Sequence, residues 1–236
     1  MARYYTDDDV ARWEKAYENS INLHLAKLST DLTPDAIDHH LGMLTLGYQT
    51  QAKILIARNR FAEAIDWLRK GIEARCMMYE RFERGEGRAL EAGYYQDILV
   101  ALVTRDEELI SRLVRHYRAD SGTPDSVFLG RAVKCLANGD LVGAKEALGR
   151  KQPRFEGQFK GYAECLEAIA DKDPCRFAEA FEIATKSWTR FAARTVRGLP
   201  LAVCFIQGVG LIRLAERVIG ERIEISNEHI PSQLLQ

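Results

Sequence analysis

Residues 61–84 read FAEAIDWLRKGIEARCMMYERFER, and the placing of the apolar side chains here decides the fold class. Phe61, Ala64, Ile65, Leu68, Ile72, Cys76, Tyr79 and Phe82 recur at three- and four-residue steps, the spacing that gathers side chains into one stripe of an α-helix. Phe159, Tyr162, Leu166 and Ile169 repeat the pattern, as do Phe177, Phe181, Ala184, Trp188 and Phe191. A period of two, the mark of a strand, is confined to Arg222-Ile223-Glu224-Ile225.

Capping residues set the boundaries. Thr33-Pro34, Thr123-Pro124 and Asp173-Pro174 each place a side-chain acceptor before a proline, which has no N–H to leave unpaired in the first helical turn. Thr104-Arg105-Asp106-Glu107 reads as a capping box. Gly85-Glu86-Gly87, Ser121-Gly122 and Asn138-Gly139-Asp140 read as turns. These signals predict helices at about 8–29, 34–57, 61–84, 88–103, 106–119, 124–137, 140–149, 156–171, 174–194 and 200–219. Short connections make consecutive helices antiparallel. The expected architecture is all-α, with packed antiparallel helix hairpins in an irregular tetratricopeptide-like arrangement. It forms one domain over 1–236: an acidic N-terminal helix (1–33), a helical core (34–220) and an irregular tail (221–236).

Three turns look related: Ala57 to Ala64, Leu136 to Ala144, and Ile169 to Ala180. Each carries a small alanine, at Ala64, Ala144 and Ala180, where two helices approach. Their uneven spacing argues against a regular array, which would repeat near 34 residues.

Composition narrows the function. A chain of 236 residues with 47% hydrophobic and 28% charged residues can build a sizeable core. A formal net charge of -1 lacks the basic excess that nucleic-acid binding requires. The longest apolar run, Leu199 to Ile212, is interrupted by Gln207 and is too short for a membrane span; it predicts the most buried helix, with Gly208 and Gly210 allowing close packing. The opening residues carry no secretory signal. Cys76, Cys135, Cys165, Cys175 and Cys204 include no CxxC pair. They are read as reduced thiols packed as small hydrophobes, and the expected location is cytoplasmic.

No nucleophile motif, glycine-rich phosphate loop or paired-carboxylate signature is present, so no catalytic residue and no cofactor are predicted. Asp35, Asp38, His39 and His40 form the densest group of potential metal ligands, with Asp35 and His39 one turn apart. A third and fourth ligand are missing, and acids at a helix start are explained by the helix dipole, so no metal is predicted. Lys186, Arg190, Arg194 and Arg197 make a basic stripe that either meets phosphate or an acidic partner or is simply solvated. Asp7, Asp8, Asp9, Asp35 and Asp38 make the N-terminal region acidic and are the candidate docking residues for a basic partner.

One order of short motifs points further. Asp97-Ile98-Leu99-Val100-Ala101-Leu102-Val103 is followed by Arg105-Asp106-Glu107-Glu108-Leu109 and by Lys134-Cys135-Leu136-Ala137-Asn138-Gly139-Asp140. Then come Ala178-Glu179-Ala180, Leu199-Pro200-Leu201-Ala202, Gly210 to Ala215 and a closing Ile230-Pro231-Ser232-Gln233-Leu234-Leu235. Over roughly residues 40 to 235 this resembles the immunity protein 49 family of bacterial polymorphic toxin systems. The resemblance implies a helical, non-enzymatic protein whose partner is a cognate toxin, and it carries over no site residues. A tetratricopeptide-like interaction scaffold is the alternative. A helical metal-dependent hydrolase using Asp35, Asp38 and His39 is the third reading.

Overall fold

The structure is a computed structural model that describes residues 4–149, 155, 157–225 and 227–236. Ten α-helices follow in order among these residues: α1 (Asp7–Leu28), α2 (Pro34–Ala57), α3 (Phe61–Glu83), α4 (Tyr95–Thr104), α5 (Glu107–His116), α6 (Pro124–Ala137), α7 (Leu141–Leu148), α8 (Tyr162–Ala170), α9 (Pro174–Arg194) and α10 (Ile206–Ile219). The described residues contain no strand; 222–225 are irregular.

The boundaries are exact where the caps were strongest. Thr33 accepts from the Ala36 amide, Thr123 from that of Ser126 and Asp173 from that of Arg176, each with proline next in line. The predicted box at Thr104–Glu107 is a different device. The Thr104 hydroxyl donates back to the Ala101 carbonyl inside α4, Arg105 turns left-handed, and Asp106 caps α5 by accepting from the Leu109 amide. A reciprocal box does occur between Thr6 and Asp9, at the start of α1.

Three predicted helices start late. Residues 88–91 are not helical, because their polar groups serve tertiary contacts: the Arg88 amide donates to Asp38, and a short 3-10 turn at Ala92–Tyr94 precedes α4. The segment from Pro200 forms another 3-10 turn, Pro200–Ala202, before α10 begins at Ile206. In the helix predicted from 156, that residue lies outside the described residues, Gly157–Phe159 form a 3-10 turn, and α8 begins at Tyr162.

The three related turns share one backbone solution. Asn59, Gly139 and Lys172 are left-handed, each two residues before its next helix. In each, the following amide reaches back five residues to a carbonyl (Arg60 to Leu55, Asp140 to Cys135, Asp173 to Ala168) at 2.9 Å. Six-to-one bonds of this kind close a helix end of the Schellman type. Ala64 and Ala144 are fully buried at the matching positions of their helices, whereas Phe177, not Ala180, takes that place in the third. The turns of the α6–α7 and α8–α9 hairpins are 172 − 139 = 33 residues apart, close to a tetratricopeptide period.

α1, α2 and α3 pack as antiparallel neighbours, α4 packs against α3, α5, α6 and α10, and α8 pairs with α9. One buried apolar cluster extends from Tyr5 to Leu234. Its most enclosed helix is α4, where all residues but Gln96 are buried; α10, the predicted centre, exposes part of its surface beyond Ala215. Gly210 lets α10 lie directly on the α4 backbone: a Cβ there would stand 2.6 Å from the Leu99 carbonyl carbon. Cys76, Cys165 and Cys204 are buried, and none of the five thiols is in a disulfide. No helix among the described residues is long and apolar enough to cross a membrane.

Candidate binding pocket

The apolar face of α2 is interrupted at four-residue steps by Thr45, Gln49 and Lys53. This spacing aligns polar groups along one side of a helix otherwise committed to the core. Thr45 and Lys53 are both buried. The Thr45 hydroxyl satisfies itself on the Leu41 carbonyl at 3.0 Å. Gln49 donates to Asp97 Oδ1 at 2.6 Å, and Arg75 of α3 donates through Nε to Asp97 Oδ2 at 2.7 Å. Asp97 thus uses both carboxylate oxygens, inside the most buried helix of the fold.

The ring of Tyr94 lies against the Arg75 guanidinium, 3.8 Å from its central carbon to the ring centre. Arg75 Nη1 meets the Met78 sulfur at 3.3 Å. Burial pushes the Lys53 ammonium below its usual range, while the Cys204 thiol and the Asp97 carboxylate pull the other way. Burial likewise pushes the Cys204 thiol up to about 12, against the opposing effect of Lys53.

Above this polar floor is an open cavity of about 590 Å³. Met43, Leu46 and Tyr94 supply apolar wall, Gln96 and Gln207 an amide pair at 3.4 Å, and His39, Arg88 and Glu91 charged or polar rim. The volume lies within the usual range of small-molecule sites. Of these positions only His39 was a candidate in the sequence, and there as a metal ligand rather than as part of a pocket. The signal was nonetheless present: a polar residue at every fourth position of an apolar helix.

The predicted acidic docking residues are not brought together. α1 and α2 are antiparallel, and the Arg58–Glu14 ion pair at 3.1 Å joins the end of α2 to the first half of α1. Asp7, Asp8 and Asp9 therefore sit at one end of the hairpin and Asp35 at the other, separated by roughly 30 Å of helix at 1.5 Å per residue. Asp9 is engaged by Thr6 and Arg12. Asp38 is not a surface residue at all: its side chain is 1% exposed, pairs with Arg81 Nε at 2.9 Å and accepts from the Arg88 amide. It fastens the loop after α3, so it belongs to no docking surface.

His39 and His40 meet His24 of α1 rather than Asp35. The three ring centres lie 5.1–6.1 Å apart, and the Nδ1 atoms of His24 and His40 are 2.8 Å apart. Among the described residues no three His, Cys, Asp or Glu side chains are placed to hold a metal ion. One proton joins the two Nδ1 atoms, and protonating both rings breaks the bond. Burial, then His40, then His39 lower the proton affinity of His24 below its ordinary 6.5. The unfolded chain therefore binds the proton more readily. The stabilising contribution is present above about pH 6.5 and is lost as the pH falls through that value towards the lower folded pKa. The melting temperature is expected to fall from pH 7 to pH 5, and to fall less in His24→Gln. Parallel curves for the two proteins would remove the histidine pair as the cause.

Lys186, Arg190 and Arg194 remain together on the outer side of α9, with exposed Ile183 (42%) among them. At 100° per residue these four positions fall within about 80° of one another. Lys186 is paired with Glu182, whereas Arg190, Arg194 and Arg197 have no ion-pair partner among the described residues. Exposed Leu199 (47%) and Leu201 (44%) follow immediately in the chain. No protein-family model matches the chain, and no match is found among curated proteins or solved structures.

Proposed function

We propose that this chain is an immunity protein that binds and neutralises a cognate toxin without catalysis, in the cytoplasm of the cell that makes the toxin. The observation that carries this reading is the outer row of α9 and its continuation: Ile183, Arg190, Arg194, Arg197, Leu199 and Leu201, all exposed, with guanidinium groups that have no ion-pair partner among the described residues. Arginine beside exposed apolar side chains is the composition of interface hot spots. A helix already held by the core presents them without a large ordering cost. The resemblance to the immunity protein 49 family supports the same reading. The split acidic residues give it no support, so the docking face moves from the N-terminal acids to α9.

The test is co-expression with a toxin encoded beside this chain. Protection is expected at about one protein per toxin, with a stable complex on a sizing column. Arg190→Glu with Arg194→Glu should abolish the complex and leave the helical circular-dichroism spectrum unchanged. Protection by far less than one protein per toxin, or survival without a complex, would defeat the proposal. The 33-residue offset of the α6–α7 and α8–α9 hairpins favours a second reading, an interaction scaffold. That reading requires peptides from several partners to bind the same hairpins.

A further inference from the structure

Beneath the cavity between α2, α3 and α4, the buried Arg75 pairs with the buried Asp97 carboxylate, and the buried Lys53 ammonium has no ion pair among the described residues. Arg75 and Lys53 are each 5% exposed and Asp97 is 6% exposed. Both oxygens of Asp97 are occupied by Gln49 and Arg75, and the Lys53 ammonium donates no hydrogen bond to any of the described residues. One positive charge is thus left over in a region of low dielectric, an arrangement that is costly unless a proton leaves or an anion arrives.

The cavity is built to admit the anion. A guanidinium has five N–H donors. Arg75 commits one to Asp97 and directs another at the Met78 sulfur, a weak acceptor, while its edge lines the cavity floor. Lys53 does not line the cavity; it lies one helical turn beyond Gln49 and acts through its charge. The walls at Met43, Leu46 and Tyr94 are apolar, and Leu46 and Tyr94 are 51% and 37% exposed for want of anything covering them.

We infer that the cavity binds a small organic monoanion, a carboxylate head on an apolar body, with the head on Arg75 and the body against Met43, Leu46 and Tyr94. The excess is a single charge, so a carboxylate balances it and a phosphate or phosphonate dianion overshoots. This site is carried by different elements from the α9 row, and it stands or falls separately from toxin binding.

Thermal shift and calorimetric titration of the full chain with acetate, hexanoate and phenylacetate test it, against benzyl alcohol, benzylamine and benzylphosphonate. Hexanoate and phenylacetate are expected to raise the melting temperature in a saturable way at or below about 10 mM, the weak end of specific binding. Acetate, which lacks the apolar body, should bind more weakly. The alcohol and the amine should have no saturable effect, and the phosphonate a smaller one.

Two variants separate the parts. Lys53→Met should melt higher than the parent without ligand, since a buried unpaired charge is gone, and should bind phenylacetate about tenfold more weakly or worse. Tyr94→Ala should keep the spectrum and lose affinity for phenylacetate more than for acetate. No saturable carboxylate binding, binding matched by benzyl alcohol, or unchanged affinity in Lys53→Met would each overturn the assignment.

Discussion

Gly210→Ala is expected to lower the stability of the fold by about 3 kcal/mol or more, the upper end of the cost of overpacking a core. The added methyl would lie 2.6 Å from the carbonyl carbon and 2.8 Å from the Cα of Leu99. These are backbone atoms of α4, and α4 is enclosed by α3, α5, α6 and α10, so it cannot rotate a side chain out of the way. The helices must separate instead, and the loss of close contact spreads along both. Alanine's better helix propensity returns only about 1 kcal/mol. Gly93→Ala is the control, because its Cβ would meet nothing closer than Ser126 Oγ at 3.6 Å. Urea unfolding followed by circular dichroism reads both. A Gly210→Ala midpoint indistinguishable from that of Gly93→Ala would mean that α10 does not sit on the α4 backbone.

The same contact shows what the sequence could and could not disclose. The glycines at 208 and 210 inside an apolar run signal close approach, but not the partner, which lies more than a hundred residues earlier. Helix limits at Thr33-Pro34, Thr123-Pro124 and Asp173-Pro174 were legible because a cap acts on amides three residues away. Residues 88–91 were not, because the Arg88 amide is satisfied by Asp38, fifty positions distant. The pocket failed to stand out for a related reason. Gln49, Arg75 and Asp97 look like three solvated residues on three amphipathic segments until the fold brings them within hydrogen-bond distance. The acidic residues misled in the opposite direction. Asp7 to Asp9 and Asp35 share a sign and a region of sequence, yet an antiparallel hairpin puts them at its two ends.

Asp97→Ala should have the other large effect, a loss of about 3–5 kcal/mol, the usual result of removing one partner from a buried ion pair. A domain stable by about 5–15 kcal/mol would lose a large share of its margin. The methyl left behind cannot compensate Arg75 or Lys53, both nearly inaccessible to water, and the Gln49 amide loses its acceptor at the same time. The effect belongs to the charge and not to the shape of the site. Arg75→Met, Lys53→Met and Asp97→Leu made together should therefore recover most of the loss, since apolar groups of similar volume can replace buried charges at little cost. Lys53→Met alone should lessen the penalty of Asp97→Ala, because one of the two stranded cations is already absent. That coupling, read as the difference between unfolding free energies in a double-mutant cycle, is expected to reach about 0.5–3 kcal/mol. Strict additivity would show that Lys53 and Asp97 do not share a field, and the unbalanced charge beneath the cavity would then be only nominal.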